Sequence, residues 1–172
     1  MADLSFVPAI LGDDVVMEFS EQGVFSTDDQ KAWLLRILSE KTQDDLPGHL
    51  AVERKEDRFI LGYVSLSHDP DRNSADDAEL GFRLARYAWN QGYATEATRA
   101  LIDAETIHGR TRRIVAIVDP NNHRSVRVLK KLEMAFERDI LFEGYDHPDH
   151  LFVRHLATDA ASASHALPED RL

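Results

Sequence analysis

The sequence predicts a single α/β (α+β) domain built around a parallel strand pair, and three observations predict it. The chain has 172 residues, 43% of them hydrophobic, which suits one packed core. Residues 78–84, 92–108 and 113–118 read as strand, helix and strand, a βαβ unit that makes the two strands parallel with a right-handed crossover. Within RRIVAIV (112–118), residues 114–118 are continuously apolar and rich in β-branched types, as in a strand covered on both faces.

Each element has its own signal. Ser26 to Asp29 forms a capping box, and Trp33, Leu34, Ile37 and Leu38 make the apolar stripe of a helix over 28–41. HLAVERKEDRFILGYVSLS holds two strands, 49–54 and 58–67, joined by a tight polar turn at Lys55 to Asp57. DPDRNSADD (69–77) is a charged, turn-rich loop. AELGFRL (78–84) alternates, with Leu80, Phe82 and Leu84 on one face and Glu79, Gly81 and Arg83 on the other. Ala94, Ala97, Leu101, Ala104 and His108 repeat at helical spacing up to a stop at His108-Gly109. A second helix runs from about Asn122 to Glu133 with Val126, Leu129 and Leu132 inward, and strands near 135–142 and 151–156 close the core. The domain is expected over 1–156, followed by a disordered tail over 157–172, rich in small and polar residues.

Composition narrows the function classes. The net charge of -11 repels a phosphate backbone at long range, so nucleic acid is not an expected partner, whereas a cationic substrate would be attracted. No apolar run reaches the length of a membrane span and the start MADLSFVPAILGDD lacks a basic leader, so a soluble, cytoplasmic protein is expected, monomeric or homodimeric. Without cysteine there is no thiolate nucleophile, thiolate metal site or disulfide framework. His147, His150 and His155 with Asp146 and Asp149 lack a recognisable ligand spacing, and no metal is expected.

The stretch WNQGYATEATRALIDAE (89–105) places Gly92 where a strand hands over to a helix. There the first helical N–H groups have no internal partner and the dipole adds positive charge, so a phosphate could sit against the N–H groups of Gln91, Gly92, Tyr93, Ala94 and Thr95. A glycine wanted only for its backbone angles would look the same. Neither of the glycine patterns of dinucleotide or P-loop sites is present.

A second segment, DPNNHRSVRVLKKLEMAFE (119–137), follows some thirty residues later. Together, WNQGYATEA and N-x-x-S-x-R-V-L-K-K-L resemble the GNAT superfamily of acyl-CoA N-acyltransferases, in particular the branch of ribosomal-protein N-terminal alanine acetyltransferases. The resemblance covers about residues 59–156. It implies a mixed, largely antiparallel sheet with a parallel, splayed strand pair and flanking helices. It further implies that Trp89, Gly92 and Ala94 belong to the loop that binds the coenzyme A pyrophosphate, and that Asn122 contacts the pantetheine arm. Ser125 would lie near the thioester sulfur, and Phe82, Arg83 and Leu84 belong to the strand that pairs with the pantetheine amides. The co-substrate would be acetyl-CoA or another short acyl-CoA, and the acceptor a primary amine of a protein N-terminus or a small molecule.

The sequence departs from the family pattern at three places. The tyrosine that many members use as the acid is Leu129, a glutamate (Glu133) stands where glycine usually ends the second helix, and the first-strand pattern is missing from the N-terminus. A left-handed cap at Glu133 would be strained, so a different helix end is expected. Glu79 is the candidate general base, equally readable as a solvated strand-edge carboxylate, with Asp119 in reserve, equally a turn or capping residue. Arg83, Arg86, Arg127, Lys130 and Lys131 form a basic set suited to coenzyme phosphates, although a solvated helix face accounts for the last three. The alternative to an enzyme is a catalytically silent acyl-CoA sensor or assembly module of the same fold.

Overall fold

A computed structural model describes residues 6–39, 46–68, 77–109 and 111–156. The loop expected over 69–77, apart from its last residue, and the tail over 157–172 lie outside the described residues. The chain begins with two helices, α1 (Phe6–Leu11) and α2 (Thr27–Ser39), and continues as β1 (Gly48–Glu53), β2 (Ile60–Ser67) and β3 (Asp77–Leu84). After one 3-10 turn at Arg86–Ala88 come α3 (Tyr93–His108), β4 (Arg113–Val118), α4 (His123–Lys131), β5 (Ala135–Ile140) and β6 (Asp149–His155).

Helix α1 occupies the segment where the family pattern would put a first strand. FVPAIL sets Val7, Ile10 and Leu11 on one helical face, all buried, and Pro8 falls in the first turn, where its missing N–H costs nothing. Ser26 caps α2 through a 3.2 Å bond from Asp29 N–H to Ser26 Oγ, and its own hydroxyl donates to Asp29 Oδ2 at 2.6 Å. Helix α3 stops at Gly109, which is left-handed and donates its N–H to Glu105 O at 2.8 Å.

The end of α4 corrects the expectation from sequence. Glu133 is left-handed with φ 60, and the helix ends in a Schellman arrangement: Met134 N–H bonds Leu129 O at 3.1 Å and Glu133 N–H bonds Lys130 O at 3.1 Å. A non-glycine residue in this conformation costs about 1–2 kcal/mol. Burial of Leu129, Leu132 and Met134 on either side of it offsets that cost.

The six strands form one sheet in the order β1-β2-β3-β4-β6-β5. Only β3 and β4 run parallel, as the βαβ unit requires, and they pair at just three positions, ending at Glu79↔Val115. All other neighbours are antiparallel. One face carries Leu80, Leu84, Ile114, Ala116 and Val118 and packs with Leu101 and Ile102 of α3 and Leu129 of α4. On the other face Tyr63 packs with Val7, Ile10, Leu11 and Met17 of the N-terminal segment, and Val115 packs with Leu151 and Val153. Strand β4 is therefore covered on both sides, as its continuous apolar run predicted.

Strands β2 and β3 approach so closely at Gly62 that a Cβ there would lie 2.2 Å from Arg83 O and 2.7 Å from Leu84 Cα. Both are backbone atoms of the strand that borders the gap, and they cannot rotate away. The substitution Gly62→Ala should cost about 3 kcal/mol by overpacking, lowering the melting temperature by about 6–12 °C in a thermal scan. A shift below about 2 °C would show that the strands yield without cost.

Candidate functional site

Where pairing stops at Glu79, β3 and β4 diverge and leave a cleft of about 680 Å3. Backbone geometry decides what β3 offers it. Ala85 N–H bonds Leu61 O at 2.9 Å and Gly62 stands opposite Leu84, so by strand alternation the N–H groups of Phe82 and Leu84 turn away from β2, toward the gap that β4 has left. The N–H of Arg83 turns toward β2 instead, opposite Tyr63. Trp89 Nε1 donates to Leu84 O at 2.7 Å, anchoring the turn that follows the strand.

That turn delivers the chain to α3. Gly92 is the residue before the helix, with φ 92, and a Cβ placed on it would meet nothing within 4 Å. Glycine is thus required by the backbone angle and also leaves open space in front of the helix. The first helical bond runs from Glu96 N–H to Gly92 O, and no side chain caps the end, so the N–H groups of Tyr93, Ala94 and Thr95 have no helical partner. Gly92, Tyr93, Ala94 and Thr95 line the cleft; Gln91 does not, its carboxamide donating to Tyr87 O at 2.6 Å.

The opposite wall comes from α4. Asn122 caps this helix, its Oδ1 accepting from Ser125 N–H at 3.1 Å, which leaves the carboxamide NH2 as a donor beside the cleft. Ser125 lines the cleft as well. Leu129, where the family tyrosine would stand, is 1% exposed and brings no hydroxyl. Asp119 is engaged on both oxygens: Oδ1 accepts from Asn121 N–H at 2.7 Å and Oδ2 lies 3.6 Å from His147 Nε2. Asp119 thus serves the turn before α4 and also lines the cleft, as does Glu79, half-buried at the point of divergence.

The histidines considered as a metal set are dispersed. His155 pairs in register with Arg113 at the far end of β6 and His150 lies 3.5 Å from Asp139 Oδ1; His147 lies 4.0 Å from Asp146 Oδ1 and, with Asp149 and Asp119, places its ligand atom within 4.8 Å of theirs.

Residues 2–135 match the family model of the acetyltransferase (GNAT) domain. The chain belongs to the GNAT acetyltransferases. It is 37% identical over 62 residues to the uncharacterized protein YkkB of Bacillus subtilis, a match that spans 36% of this chain and about a third (36%) of that relative's length. It is 25% identical over 134 residues to the uncharacterized N-acetyltransferase p20 of Bacillus licheniformis, covering 78% of this chain and 73% of the relative. A GNAT-family acetyltransferase from Bacillus anthracis shares the fold with a TM-score of 0.73 at 21% identity, over 86% of this chain and 85% of the other. Among the described residues no helix is long and apolar enough to cross a membrane.

For a GNAT chain the basic set reads differently in three dimensions. Arg127 and Lys131 line the cleft, but Arg86 is bound to Asp13 at 2.8 Å and Lys130 does not border the space. Arg124, which the sequence did not single out, stacks over Trp89 at 4.4 Å and reaches Glu18 at 3.3 Å, tying the N-terminal segment to α4 across the cleft. Val15, Val16, Phe19, Ser20, Glu21 and Gln22 line the space from that segment, as do His49, Tyr63 and Ser65 from β1 and β2. The alternation of ILGYVSLS already puts Tyr63 and Ser65 on one face; the register onto Arg83 and Gly81 is what sequence alone did not supply.

Burial pushes the Tyr63 phenol above its ordinary value of 10, and the nearby charges of Arg83 and Arg36 pull it only part of the way back. The folded protein therefore keeps this proton at a pH where the unfolded chain releases it, and stability falls as pH rises above about 10. The variant Tyr63→Phe should remove that contribution, making denaturant-measured stability less steep by up to about 1.4 kcal/mol per pH unit in that range. Identical slopes for the two proteins would contradict the burial of a protonated phenol.

Proposed function

We propose that the chain transfers an acetyl, or another short acyl, group from acyl-coenzyme A directly to a primary amine of a small molecule or a protein N-terminus. The observation that carries this is the mouth of α3, where a left-handed Gly92 without side chain stands before three N–H groups lacking helical partners. Such a helix end suits a diphosphate. The N–H groups of Phe82 and Leu84 suit an extended arm that completes the missing strand pairing, and Asn122 adds a donor from α4.

In the transfer, the amine nitrogen bonds to the thioester carbon, the carbon–sulfur bond breaks, and one amine proton leaves. Glu79 is the group for that proton, directly or through water, because it stands where the strands part. Ser125 is a poor acid, so its part is to hydrogen-bond the sulfur as charge builds there. Holding both reactants in one cleft supplies about 7 kcal/mol or more, against about a hundredfold for the base, so positioning dominates. A silent acyl-CoA sensor is the second reading, favoured by one observation: Leu129 is buried where a tyrosine acid would stand.

Release of free coenzyme A thiol from acetyl-CoA, measured over a panel of amines and basic peptides, separates the two. Wild type should turn over with at least one amine, whereas a sensor would bind acetyl-CoA without turnover. In Gly92→Glu a carboxylate fills the diphosphate space, and acetyl-CoA affinity should fall about a hundredfold or more. Strain of about 1–2 kcal/mol should lower the melting temperature of the free variant by only about 2–8 °C. Binding within about threefold of wild type would end the reading of Gly92 as part of a diphosphate site.

A further inference from the structure

We propose that the amine acceptor also carries a carboxylate, held by Arg83, which makes it a small zwitterionic amino acid; the inference rests on the acyl-transfer reading above. Strand alternation puts Glu79, Gly81 and Arg83 on the face turned from α3 and α4, beneath the N-terminal segment, and all three line the cleft. The Arg83 guanidinium is half-buried there. Its Nη1 donates to Met17 Sδ at 3.2 Å, and its charge lies near the Tyr63 phenol, which stands opposite it on β2.

Among the described residues Arg83 has no carboxylate partner, whereas Arg86 is matched by Asp13 and Arg124 by Glu18. A thioether is a weak acceptor for a half-buried group with five N–H donors. The planar fork fits a carboxylate in two parallel hydrogen bonds.

Four residues along the strand, about 13 Å at Cα, stands Glu79 beside the point where β3 and β4 part. Gly81 lies between them and carries no side chain, and the space where its Cβ would be is 2.5 Å from Ser65 Oγ. The result is a trough with a carboxylate at one end, a guanidinium at the other and a hydroxyl beside its floor. An amino acid seated between them would turn its amine toward Glu79 and its carboxylate toward Arg83, the two long side chains reaching in from either end of the trough. A polycation would set a positive charge against Arg83. The cleft, about 680 Å3 in all and lined on one side by Val15, Val16, Phe19, Ser20, Glu21 and Gln22, must also hold the acyl arm, which favours a small acceptor.

The test compares amino acids with their carboxamides and their decarboxylated amines in the thiol-release assay at saturating acetyl-CoA, in wild type, Arg83→Met and Arg83→Lys. Wild type should favour an amino acid over its carboxamide by about 10–100-fold in kcat/KM, as expected for hydrogen bonds to a charged group. In Arg83→Met the preference should vanish through KM, with Arg83→Lys restoring part of it. Calorimetric affinity for acetyl-CoA should move by less than about threefold in both variants. A wild-type enzyme blind to the carboxylate, or one preferring diamines, would overturn the proposal without touching acyl transfer. Weakened acetyl-CoA binding in Arg83→Met with the acceptor preference intact would overturn it too, reassigning Arg83 to the coenzyme. A peptide with an acidic residue near its N-terminus outperforming every free amino acid would overturn the small acceptor. Absence of both coenzyme binding and turnover in wild type would instead bring down the acyl-transfer reading itself.

Discussion

The parting of β3 from β4 after Glu79 and Val115 is the constraint on which the rest depends. Two parallel strands that stayed paired to their ends would use up every N–H and C=O between them. Because they separate, the outward N–H groups of Phe82 and Leu84 are left for something else. The crossover helix α3 begins on the same side of the gap, so its own partnerless N–H groups of Tyr93, Ala94 and Thr95 face the same cleft. Backbone chemistry therefore supplies two sets of donors in one place, and side chains only adjust them.

The divergence is held open by packing. On one side, Ala116 and Val118 of β4 join the cluster that includes Leu101 of α3 and Leu129 of α4. On the other, Val115 packs with Leu151 and Val153 of the antiparallel partner β6. Strand β4 thus keeps apolar neighbours on both faces where it leaves β3. The N-terminal segment roofs the resulting space, tied down by Arg86 to Asp13 and by Arg124 to Glu18 and Trp89. These exposed ion pairs contribute little to stability, about 0–1 kcal/mol each, but they fix where the roof sits.

Much of this was legible in the sequence because it rests on local pattern. The βαβ unit follows from a period-two run in AELGFRL, a helical period from Ala94 to His108 and the apolar run in RRIVAIV. Gly92 was legible as a break at a helix start, since only glycine takes φ 92 without cost. What stayed hidden depends on register and on distant partners. That Tyr63 opposes Arg83, and Ser65 opposes Gly81, is set by hairpin register. That residues 6–11 form a helix, and that residues 15–22 line the cleft, depends on tertiary packing against Tyr63. Glu133 shows the reverse failure, in which the local rule against a left-handed glutamate was overruled by the burial of Leu132 and Met134.

The central claim is that backbone donors of β3 and of the first turn of α3, beside the strand gap, hold the acyl donor. It is tested most directly by residue-resolved amide hydrogen exchange with and without acetyl-CoA. The N–H groups of Tyr93, Ala94 and Thr95, together with those of Phe82 and Leu84, should exchange more slowly on saturation, while the N–H of Arg83, already paired to β2, changes little. Saturation without slowing at these five positions would contradict the account.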